Sequence, residues 1–459
     1  MIYYVLVFSS ALIFSVGLLL IQNPFFRFAY AATGQLNAVL DDVSDEDTKQ
    51  RKLIQKIGSL FKAMFSFLAL FLLVIVAALT PVVIYYFVLG IEPETLDTTS
   101  IYFYISMIIG GLLPFFIPLK KQKGDYSNWS KLLHRMLLDH PFISKQLFYL
   151  ERKLFLSEEI TNKPFVLVTG LARAGTTAMT QLLFTTGSFH SLSYANMPFL
   201  LTPNLWKKFY RPKAEELKER AHGDNLQIGF ETIEALEEQF FKVFTNDAFV
   251  GEENLLQHEV EENIVDNYLD YQNLIGKDKN STYLAKNNNL ILRYGSLRKS
   301  TVEFTVLVVV RNPLDHASSL LKQHKRFCEM HDEDAFTLEY MNWLGHHEFG
   351  KNHKPFKLGE DLHSGYKLDD INYWLACWIE YYTFILPLID DGNIHLIDYT
   401  QLAEKPRKLL ESISSNLNVQ LNPENVEAYG LKRSNSEGVD DDLRSRAEKL
   451  YATLSTSFM

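Results

Sequence analysis

The chain has few cysteines and no excess of positive charge. Only two of its 459 residues are cysteines, Cys328 and Cys377, and they fit no metal-site spacing. A disulfide framework is therefore not expected, which favours a reducing compartment. The net charge of -10 argues against a nucleic-acid-binding protein, because such proteins are usually basic. The length is enough for one large domain or two ordinary ones, and hydrophobic residues make up 47% of the chain, which supports a sizeable core.

Charged residues are missing from three long stretches near the start of the chain. These stretches are residues 2–21, 63–89 and 101–119, and the second is interrupted by Pro81. Each has about the 20 residues that a helix needs to cross a bilayer. A signal peptide is the alternative for the first stretch, but it lacks a basic leading segment and a small-residue cleavage site. We therefore predict a membrane region over residues 1–124 with three transmembrane helices.

Lysine and arginine are distributed unevenly between the loops that connect these stretches. The loop 22–62 carries six of them, the loop 90–100 carries none, and three lysines follow residue 119. Because basic loops usually stay on the cytoplasmic side, this pattern puts the N-terminus outside and everything after Lys120 in the cytoplasm. We therefore expect a multi-pass integral membrane protein, of a bacterial inner membrane, with the lipid bilayer as a partner.

After the apolar region, strand-like and helix-like patterns alternate. Residues 125–162 have the pattern of an amphipathic helical connector, which lies near the membrane surface or packs on the domain that follows. From Lys163 onward, runs such as FVLVTG, EFTVLVVVR and NIHLIDY alternate with helical stretches. This alternation predicts an α/β domain over residues 163–459, with a mainly parallel sheet flanked by helices.

The first strand of this domain is followed by a P-loop-type segment bracketed by glycines. Gly170 and Gly175 have Walker A spacing, but Thr176 and Thr177 stand where a nucleotide-hydrolysing loop has lysine and a hydroxyl residue. Backbone amides of such a loop, together with the following helix N-terminus, form an anion cradle. Arg173 adds a planar cation within the loop. Without the lysine that holds a γ-phosphate, the loop predicts another kind of phosphate-bearing ligand.

A second stretch, residues 302–321, consists of a strand, an Asn-Pro turn and the start of a helix. Arg311 at the strand end and Ser319 in the helix are eight residues apart. Ligands of open α/β sheets bind at the carboxyl edge, where this turn is expected to lie. Both side chains are therefore candidates for binding one anion.

Together the two stretches resemble the sulfotransferase family, whose members use 3′-phosphoadenosine 5′-phosphosulfate (PAPS). RAGTT is similar to the family's 5′-phosphosulfate loop, commonly PRSGTT, and VRNPLDHASSLL is similar to its 3′-phosphate site. The stretch 393–413 is similar to the family's strand-Tyr-x-x-Leu-x-x-x-Pro segment. The likeness covers roughly residues 163–418 and is nearest to the bacterial and tyrosylprotein branch.

The resemblance implies a set of residues that hold PAPS as co-substrate. For the 5′-phosphosulfate they are Arg173, Ala174, Gly175, Thr176 and Thr177, and for the 3′-phosphate they are Arg311 and Ser319. PAPS has no γ-phosphate, so the loop needs no lysine, and no metal is expected.

Sulfonyl transfer needs positive charge at the leaving phosphate oxygen. Arg173 is one candidate for this role. Lys286 is another, because the resemblance implies a lysine at a comparable strand end that contacts the bridging oxygen. A solvated surface lysine is the alternative for Lys286.

The reaction also needs a base for the acceptor hydroxyl. Relatives commonly place a carboxylate shortly after the first helix, but this chain has Asn196 in that region and no acidic residue between Thr169 and Pro212. Downstream candidates are His222, Asp224, Glu234, Glu237 and Glu238. We favour His222, for its unperturbed pKa, over Glu237. The three glutamates are expected on one helix face, where repulsion raises a pKa, unless that face is simply solvated.

Two further clusters have several possible roles. The stretch WLGHHEFGKNHKPF contains His346, His347, Glu348 and His353, without metal-ligand spacing, and is predicted to be an acceptor-site loop or a packed helix end. Trp374, Trp378 and Tyr381 recur at helical spacing and are predicted to be core, with stacking on adenine as the alternative.

The sequence as a whole predicts a membrane-anchored PAPS-dependent sulfotransferase with a cytoplasmic catalytic domain. The acceptor is expected to be a hydroxyl on a lipid or a lipid-linked glycan, because several spans would hold the site beside the bilayer. Three alternatives remain. They are a membrane-anchored P-loop kinase or NTPase, a non-catalytic nucleotide-binding scaffold of the same fold, and a Golgi-type enzyme with a lumenal catalytic domain.

Overall fold

The computed structural model of the chain describes residues 2–39, 46–89, 100–116, 127–157, 163–210, 218–219, 227–228, 232–276, 281–299, 303–417, 421, 428 and 438–459. Within it the chain forms two compact units, Met1–Met136 and Leu137–Met459.

The first unit is built from apolar helices that pack on one another. They are α1 (Ile2–Leu20), α2 (Gln22–Val39), α3 (Glu46–Leu89) and α4 (Ile101–Leu112), and the boundary with the second unit falls in the last turn of α5 (Asn128–Leu138). Helix α1 packs on α3 and α4, and α2 packs on α3. A Cβ at Gly110 would collide with the Phe8 carbonyl, and one at Gly17 would collide with Val74. Small residues therefore allow close helix contacts, as in membrane helix pairs.

Two helices of this unit are long and apolar enough to cross a membrane, namely Ile2–Leu20 and the part Lys49–Phe87 of α3. Pro81 lies inside α3 and does not end it. The third predicted span corresponds to the shorter apolar helix α4, followed by a 3₁₀ turn over Leu113–Phe116, and its last three residues lie outside the described ones. The three-span topology stays a prediction.

The second unit contains a five-stranded, all-parallel sheet in the order β2-β6-β1-β7-β9. The strands are β1 (Phe165–Thr169), β2 (Phe189–His190), β3 (Lys218–Glu219), β4 (Gln227–Ile228), β5 (Leu255–Leu256), β6 (Thr282–Lys286), β7 (Phe304–Val310), β8 (Phe356–Lys357) and β9 (Ile394–Asp398). Two small pairs, β3-β4 and β5-β8, lie outside this sheet. The predicted α/β fold with a mainly parallel sheet is confirmed.

Helices cover both faces of the central sheet. They are α6 (Pro141–Phe155), α7 (Thr176–Phe184), α8 (Pro203–Phe209), α9 (Glu238–Phe244), α10 (Glu262–Ile275), α11 (Tyr294–Arg298), α12 (Pro313–Glu333), α13 (Ala335–Trp343), α14 (Ile371–Ile385), α15 (Tyr399–Glu404), α16 (Pro406–Leu417) and α17 (Asp441–Ser455). Alternate residues of β7 belong to two different hydrophobic clusters, Val308 to one and Leu307 to the other. The strand is therefore buried on both sides, as its β-branched run predicts.

The sheet register brings the predicted binding segments to one edge. Strand β1 lies between β6 and β7, with Val168 level with Lys286 on one side and with Leu307 on the other. On the far side of β7, Val310 is level with Asp398 of β9. Because all these strands are parallel, the segments that follow β1, β6, β7 and β9 meet at the carboxyl edge.

Two helical segments noted in the sequence lie in the second unit. Trp374, Trp378 and Tyr381 are buried in the core, as expected. Helix α6, in the predicted connector, packs on α9 and α10 within the second unit.

Candidate active site

The loop after β1 has a backbone that requires glycine at two positions. Gly170 has φ +150°, and a Cβ there would lie 2.9 Å from the carbonyl oxygen of Val309. Gly175 has φ +110°, and a Cβ there would lie 2.6 Å from the ring of Tyr399. Arg173, between them, has φ +70°, a left-handed conformation that is uncommon for a residue with a side chain. Helix α7 begins directly afterwards, at Thr176.

Two features of this backbone are typical of an anion cradle. Left-handed residues at Arg173 and Gly175 allow successive N–H groups to turn towards one side, and the positive end of the α7 dipole adds to them. Binding of a phosphate group at this glycine-bracketed loop stays a prediction.

Lys286 lies at the end of β6, next to this loop. Its Nζ donates hydrogen bonds to Oγ1 of Thr177, at 2.7 Å, and to a carboxylate oxygen of Glu234, at 2.9 Å. The side chain is largely buried, so it is not the solvated surface lysine that was the alternative. Lys286, Thr177 and Glu234 thus form a short buried chain at the start of α7.

Arg311 and Ser319 lie on the other side of the loop. Ser319 Oγ accepts a hydrogen bond from Nε of Arg173 at 3.4 Å. Arg311 donates from Nη1 to the backbone oxygen of Arg173 at 3.2 Å, and its guanidinium lies 4.8 Å from the ring centre of Tyr399. Two cationic side chains and a hydroxyl, predicted from separate sequence motifs, therefore come together. The structure brings together all the residues predicted to bind the donor.

His316 also supports the loop, and sequence reasoning did not identify it. It is fully buried in α12, and its Nε2 donates to the backbone oxygen of Ala172 at 2.7 Å. Burial, helped by the nearby Arg311 charge, lowers its pKa to about 3. The ring is therefore neutral at physiological pH and can hold the loop without adding charge.

Glu348 connects the histidine-rich stretch to the start of α7. It accepts a hydrogen bond from Nδ2 of Asn288 at 3.2 Å, and Oδ1 of Asn288 accepts one from Thr176 at 3.5 Å. The ring of His346 is 3.4 Å from the same carboxylate. Burial favours the neutral form of Glu348, but His346 and the hydrogen bonds outweigh it and lower the pKa to about 2. Glu348 also raises the pKa of His346 against the effect of burial. The pair is therefore ionic in weakly acidic solution.

Glu237 is buried, and both of its carboxylate oxygens accept hydrogen bonds. One carboxylate oxygen accepts from the hydroxyls of Tyr268 and Tyr283 at 2.6 and 2.8 Å, and the other accepts from Asn287 at 2.9 Å. The residue is 1% exposed, and burial raises its pKa while these bonds oppose the rise. An acceptor hydroxyl would need an approach that this packing does not offer.

The prediction that Glu234, Glu237 and Glu238 lie on one helix face is wrong. Helix α9 begins only at Glu238, so Glu234 and Glu237 precede it. Glu238 is buried and forms a two-pronged ion pair with Arg293, with distances of 2.6 and 2.7 Å. The alternative, a solvent-exposed acidic face, is wrong as well, because all three carboxylates have hydrogen-bond or ion-pair partners and little exposure. Tertiary contacts with distant residues override the local pattern.

Two other candidates for the base, His222 and Asp224, lie outside the described residues. Asn196, in the region where relatives commonly have a carboxylate, is buried and accepts a hydrogen bond from the backbone N–H of Ser193 at 2.9 Å. Its role in this structure is to close a short turn.

A mainly apolar cavity lies beside the loop. Its walls include Leu171 and Ala172 of the loop and Trp374 and Tyr381 of α14. Glu348 is also part of the wall. The same carboxylate is joined through Asn288 to Thr176, so the cavity and the anion cradle share a boundary.

Several solved structures are similar to this chain. STF1 of Mycobacterium tuberculosis, a sulfotransferase, has 13% sequence identity and a TM-score of 0.35, with 74% of this chain and 80% of that chain covered. STF9 of Mycobacterium avium, also a sulfotransferase, has 11% identity and a TM-score of 0.44, with 77% and 90% covered. A sulfotransferase domain from the curacin biosynthetic pathway has 13% identity and a TM-score of 0.30, with 65% and 99% covered.

Sequence comparison gives a more direct result. No curated protein sequence matches this chain. The family model described as "Sulfotransferase domain" matches residues 163–435, which is more than half of the chain and includes β1, the loop and the Arg311 segment. The chain belongs to the sulfotransferase family.

Proposed function

We propose that this protein transfers the sulfonate group of PAPS to a hydroxyl group of a lipid or lipid-linked acceptor, from the cytoplasmic side of a membrane. The observation that supports it best is the convergence of Arg173, Lys286, Arg311 and Ser319 around one glycine-bracketed loop. Their sequence positions span about a third of the chain, yet all four lie at the carboxyl edge of one sheet.

The residues at the loop fit a donor with an anionic group at each of two ends. Backbone amides from Ala174 to Thr177 and the hydroxyls of the two threonines suit the 5′-phosphosulfate end. Arg311 and Ser319 suit a second phosphate on the opposite side of Arg173. Glycine at 175 lets the loop backbone pack directly against the ring of Tyr399, where a Cβ would collide.

Lys286 and Arg173 are assigned to the negative charge that develops on the leaving phosphate. In the reaction the acceptor oxygen forms a bond to sulfur while the bond from sulfur to the 5′-phosphate oxygen breaks. The products are a sulfate ester and adenosine 3′,5′-bisphosphate. Fixed cations beside the leaving oxygen stabilise this charge without reorganising during the step.

Glu234 is the best-placed base in this proposal. Its carboxylate is 2.9 Å from Lys286 Nζ, so it lies next to the groups assigned to the reacting end of PAPS. A carboxylate within hydrogen-bond reach of the acceptor hydroxyl would take its proton as the new oxygen–sulfur bond forms. The enclosure of Glu237 favours Glu234 over it.

The acceptor assignment depends on the first unit. Helices α1 and α3 are long and apolar enough to cross a membrane, which would place the enzyme among lipids. The cavity beside the loop has aromatic and aliphatic walls, but its volume of about 30 Å³ is too small for an acceptor group, so it does not contribute to this assignment.

A transfer assay with sulfur-labelled PAPS on host membranes tests this function. We expect Arg173→Ala and Lys286→Ala to lower the rate about 10²–10³-fold, as when one oxyanion donor is removed. Arg446→Ala and Lys299→Ala are matched controls, because both residues make only exposed ion pairs.

Each alternative outcome is informative. A normal rate for Arg173→Ala would overturn the site assignment. Magnesium-dependent ATP hydrolysis without binding of adenosine 3′,5′-bisphosphate would identify a kinase or NTPase, and binding without transfer would identify a scaffold. Full activity on a soluble phenol, with none on lipid extracts, would exclude a lipid acceptor.

A further inference from the structure

Helix α6 has an unusual distribution of apolar side chains, because they occur on both of its faces. One face carries Phe148, Ser144 and Glu151, all buried. Phe148 packs on the rings of Phe240 and Phe244, with centroids 6.0 and 5.1 Å away, which fixes α6 to the catalytic unit. The opposite face points to solvent.

The solvent face of α6 is mostly apolar. Phe142, Tyr149, Leu150 and Leu154 are each more than 40% exposed, and Leu154 reaches 55%. Tyr149 lies two turns beyond Phe142, and Leu150 and Leu154 follow one and five residues later, so the four lie on one side of the helix. Contiguous exposed apolar surface usually marks a binding surface for a partner or a membrane.

Helix α8 extends this surface. The carboxylate of Glu151 accepts hydrogen bonds from the backbone N–H groups of Asn204 and Leu205, at 2.6 and 2.9 Å, which ties the start of α8 to α6. Nζ of Lys208 lies 4.7 Å from the ring centre of Phe155, so the ends of the two helices are neighbours. The next residue, Phe209, is 83% exposed.

The charges on these two helices are mainly positive. Their sequences contain Lys145, Arg152, Lys153, Lys207 and Lys208, against the single acidic residue Glu151. Arg152 is paired with Asp270 of α10 at 2.7 Å, so the lysines carry the excess of positive charge. The whole chain has a net charge of -10, so this surface differs in sign from the average of the molecule. We call the exposed apolar residues Phe142, Tyr149, Leu150, Leu154 and Phe209, with Lys153 and Lys208, the α6–α8 surface.

We propose that the α6–α8 surface binds anionic phospholipid headgroups and lies in the interface of the bilayer. Exposed rings and leucines beside lysines match the composition of helices that lie in this interface. The long lysine stems cover apolar surface while their ammonium groups reach the phosphates. The proposal depends on the membrane anchoring in the proposed function, and it adds a second, peripheral contact made by the catalytic unit itself.

Electron paramagnetic resonance of a spin label in the full-length protein tests this proposal, because it measures the accessibility of the label to oxygen and to a water-soluble nickel chelate. The label is placed by Gln146→Cys, an exposed position between Phe142 and Leu150, in a Cys328→Ser background, because Cys377 is buried. Ser445→Cys, exposed on α17, is the matched control label. The protein is reconstituted in vesicles of phosphatidylcholine with phosphatidylglycerol, or of phosphatidylcholine alone.

In anionic vesicles we expect the Gln146→Cys label to be at least threefold more accessible to oxygen than to a water-soluble nickel chelate. The Ser445→Cys label should show the reverse order. Adding Leu150→Asp and Leu154→Asp should return the first label to water, whereas Leu368→Asp, at another exposed leucine, should not.

Different failures have different meanings. If alkaline washing extracts the protein from the vesicles, both the anchoring and this proposal are overturned. If the protein stays in the membrane but the Gln146→Cys label is exposed to water, or is inaccessible to both oxygen and the nickel chelate, only this proposal is overturned. Equal immersion in neutral vesicles would overturn the assignment of anionic headgroups as the partner.

Discussion

The carboxylate of Glu234 and the ammonium group of Lys286 lie 2.9 Å apart, where Lys286 also contacts Thr177. Three residues further along, Glu237 is held by the hydroxyls of Tyr268 and Tyr283 instead. Two glutamates close in sequence therefore have opposite environments. One faces the groups assigned to the reaction, and the other is part of the buried core.

The substitution Glu234→Gln separates these roles. We expect it to lower kcat about 10²-fold or more, because a positioned general base contributes 10²–10⁴ in rate. The melting temperature should fall as well, because the largely buried ammonium group of Lys286 loses its partner carboxylate, and binding of adenosine 3′,5′-bisphosphate should persist. Steady-state assays with labelled PAPS, together with thermal unfolding in detergent, measure both quantities.

The same change at Glu237 provides the comparison. Glu237→Gln should lower the free energy of unfolding by about 1–3 kcal/mol, because a buried set of hydrogen bonds loses its charged acceptor. The folded fraction should keep a normal kcat. A normal kcat in Glu234→Gln, with a large loss in folded Glu237→Gln, would transfer the role of base to Glu237.

At the scale of elements, the loop between β1 and α7 depends on Gly175. A Cβ at this position would lie 2.6 Å from the ring of Tyr399, which itself stacks beneath Arg311. We expect Gly175→Ala to weaken binding of adenosine 3′,5′-bisphosphate at least tenfold, because the collision displaces both the loop backbone and the ring that supports Arg311. Isothermal titration of the purified protein measures this loss.

Gly187 is the matched control for this experiment. Its φ of +77° is also positive, but a Cβ there would have no neighbour within 4 Å. Gly187→Ala therefore has only the backbone cost, about 1–2 kcal/mol, and should leave ligand binding unchanged. Equal affinities in the two variants would show that the contact with Tyr399 does not control the site.

Much of this element could be predicted from the sequence because its signals are local. The glycine spacing, the hydroxyl pair and the β-branched strand before them all lie within about twenty residues. The prediction of an acidic helix face is wrong because the partners of these glutamates are distant in the sequence. Glu237 binds Tyr268 and Glu238 binds Arg293, 31 and 55 residues away, so helical periodicity had no information about them. His316 was missed for the same reason, since its partner Ala172 is 144 residues away.

At the scale of the whole molecule, the two units have different surfaces. In the first unit only 11% of the residues in the most apolar part of each of the two long helices are buried, and Leu73 and Val76 of α3 are 64% and 66% exposed. In the second unit the large apolar side chains are concentrated in clusters on the two faces of the sheet. Water is a poor solvent for the first kind of surface, and lipid would satisfy it. This contrast supports membrane anchoring of the first unit.

The distribution of basic residues leads to a test of orientation. Lysines and arginines are abundant in the segment 22–62, which contains α2 and the start of α3 and not the loop expected from the sequence, and they are absent from 90–100. We therefore expect the catalytic unit on the cytoplasmic side. In bacterial spheroplasts that express the full chain, a membrane-impermeant maleimide should label Thr98→Cys directly. It should label Ser445→Cys only after permeabilisation, with both variants made in the Cys328→Ser background. The reverse pattern would put the sulfotransferase domain outside the cytoplasm and favour the lumenal arrangement of a Golgi-type enzyme.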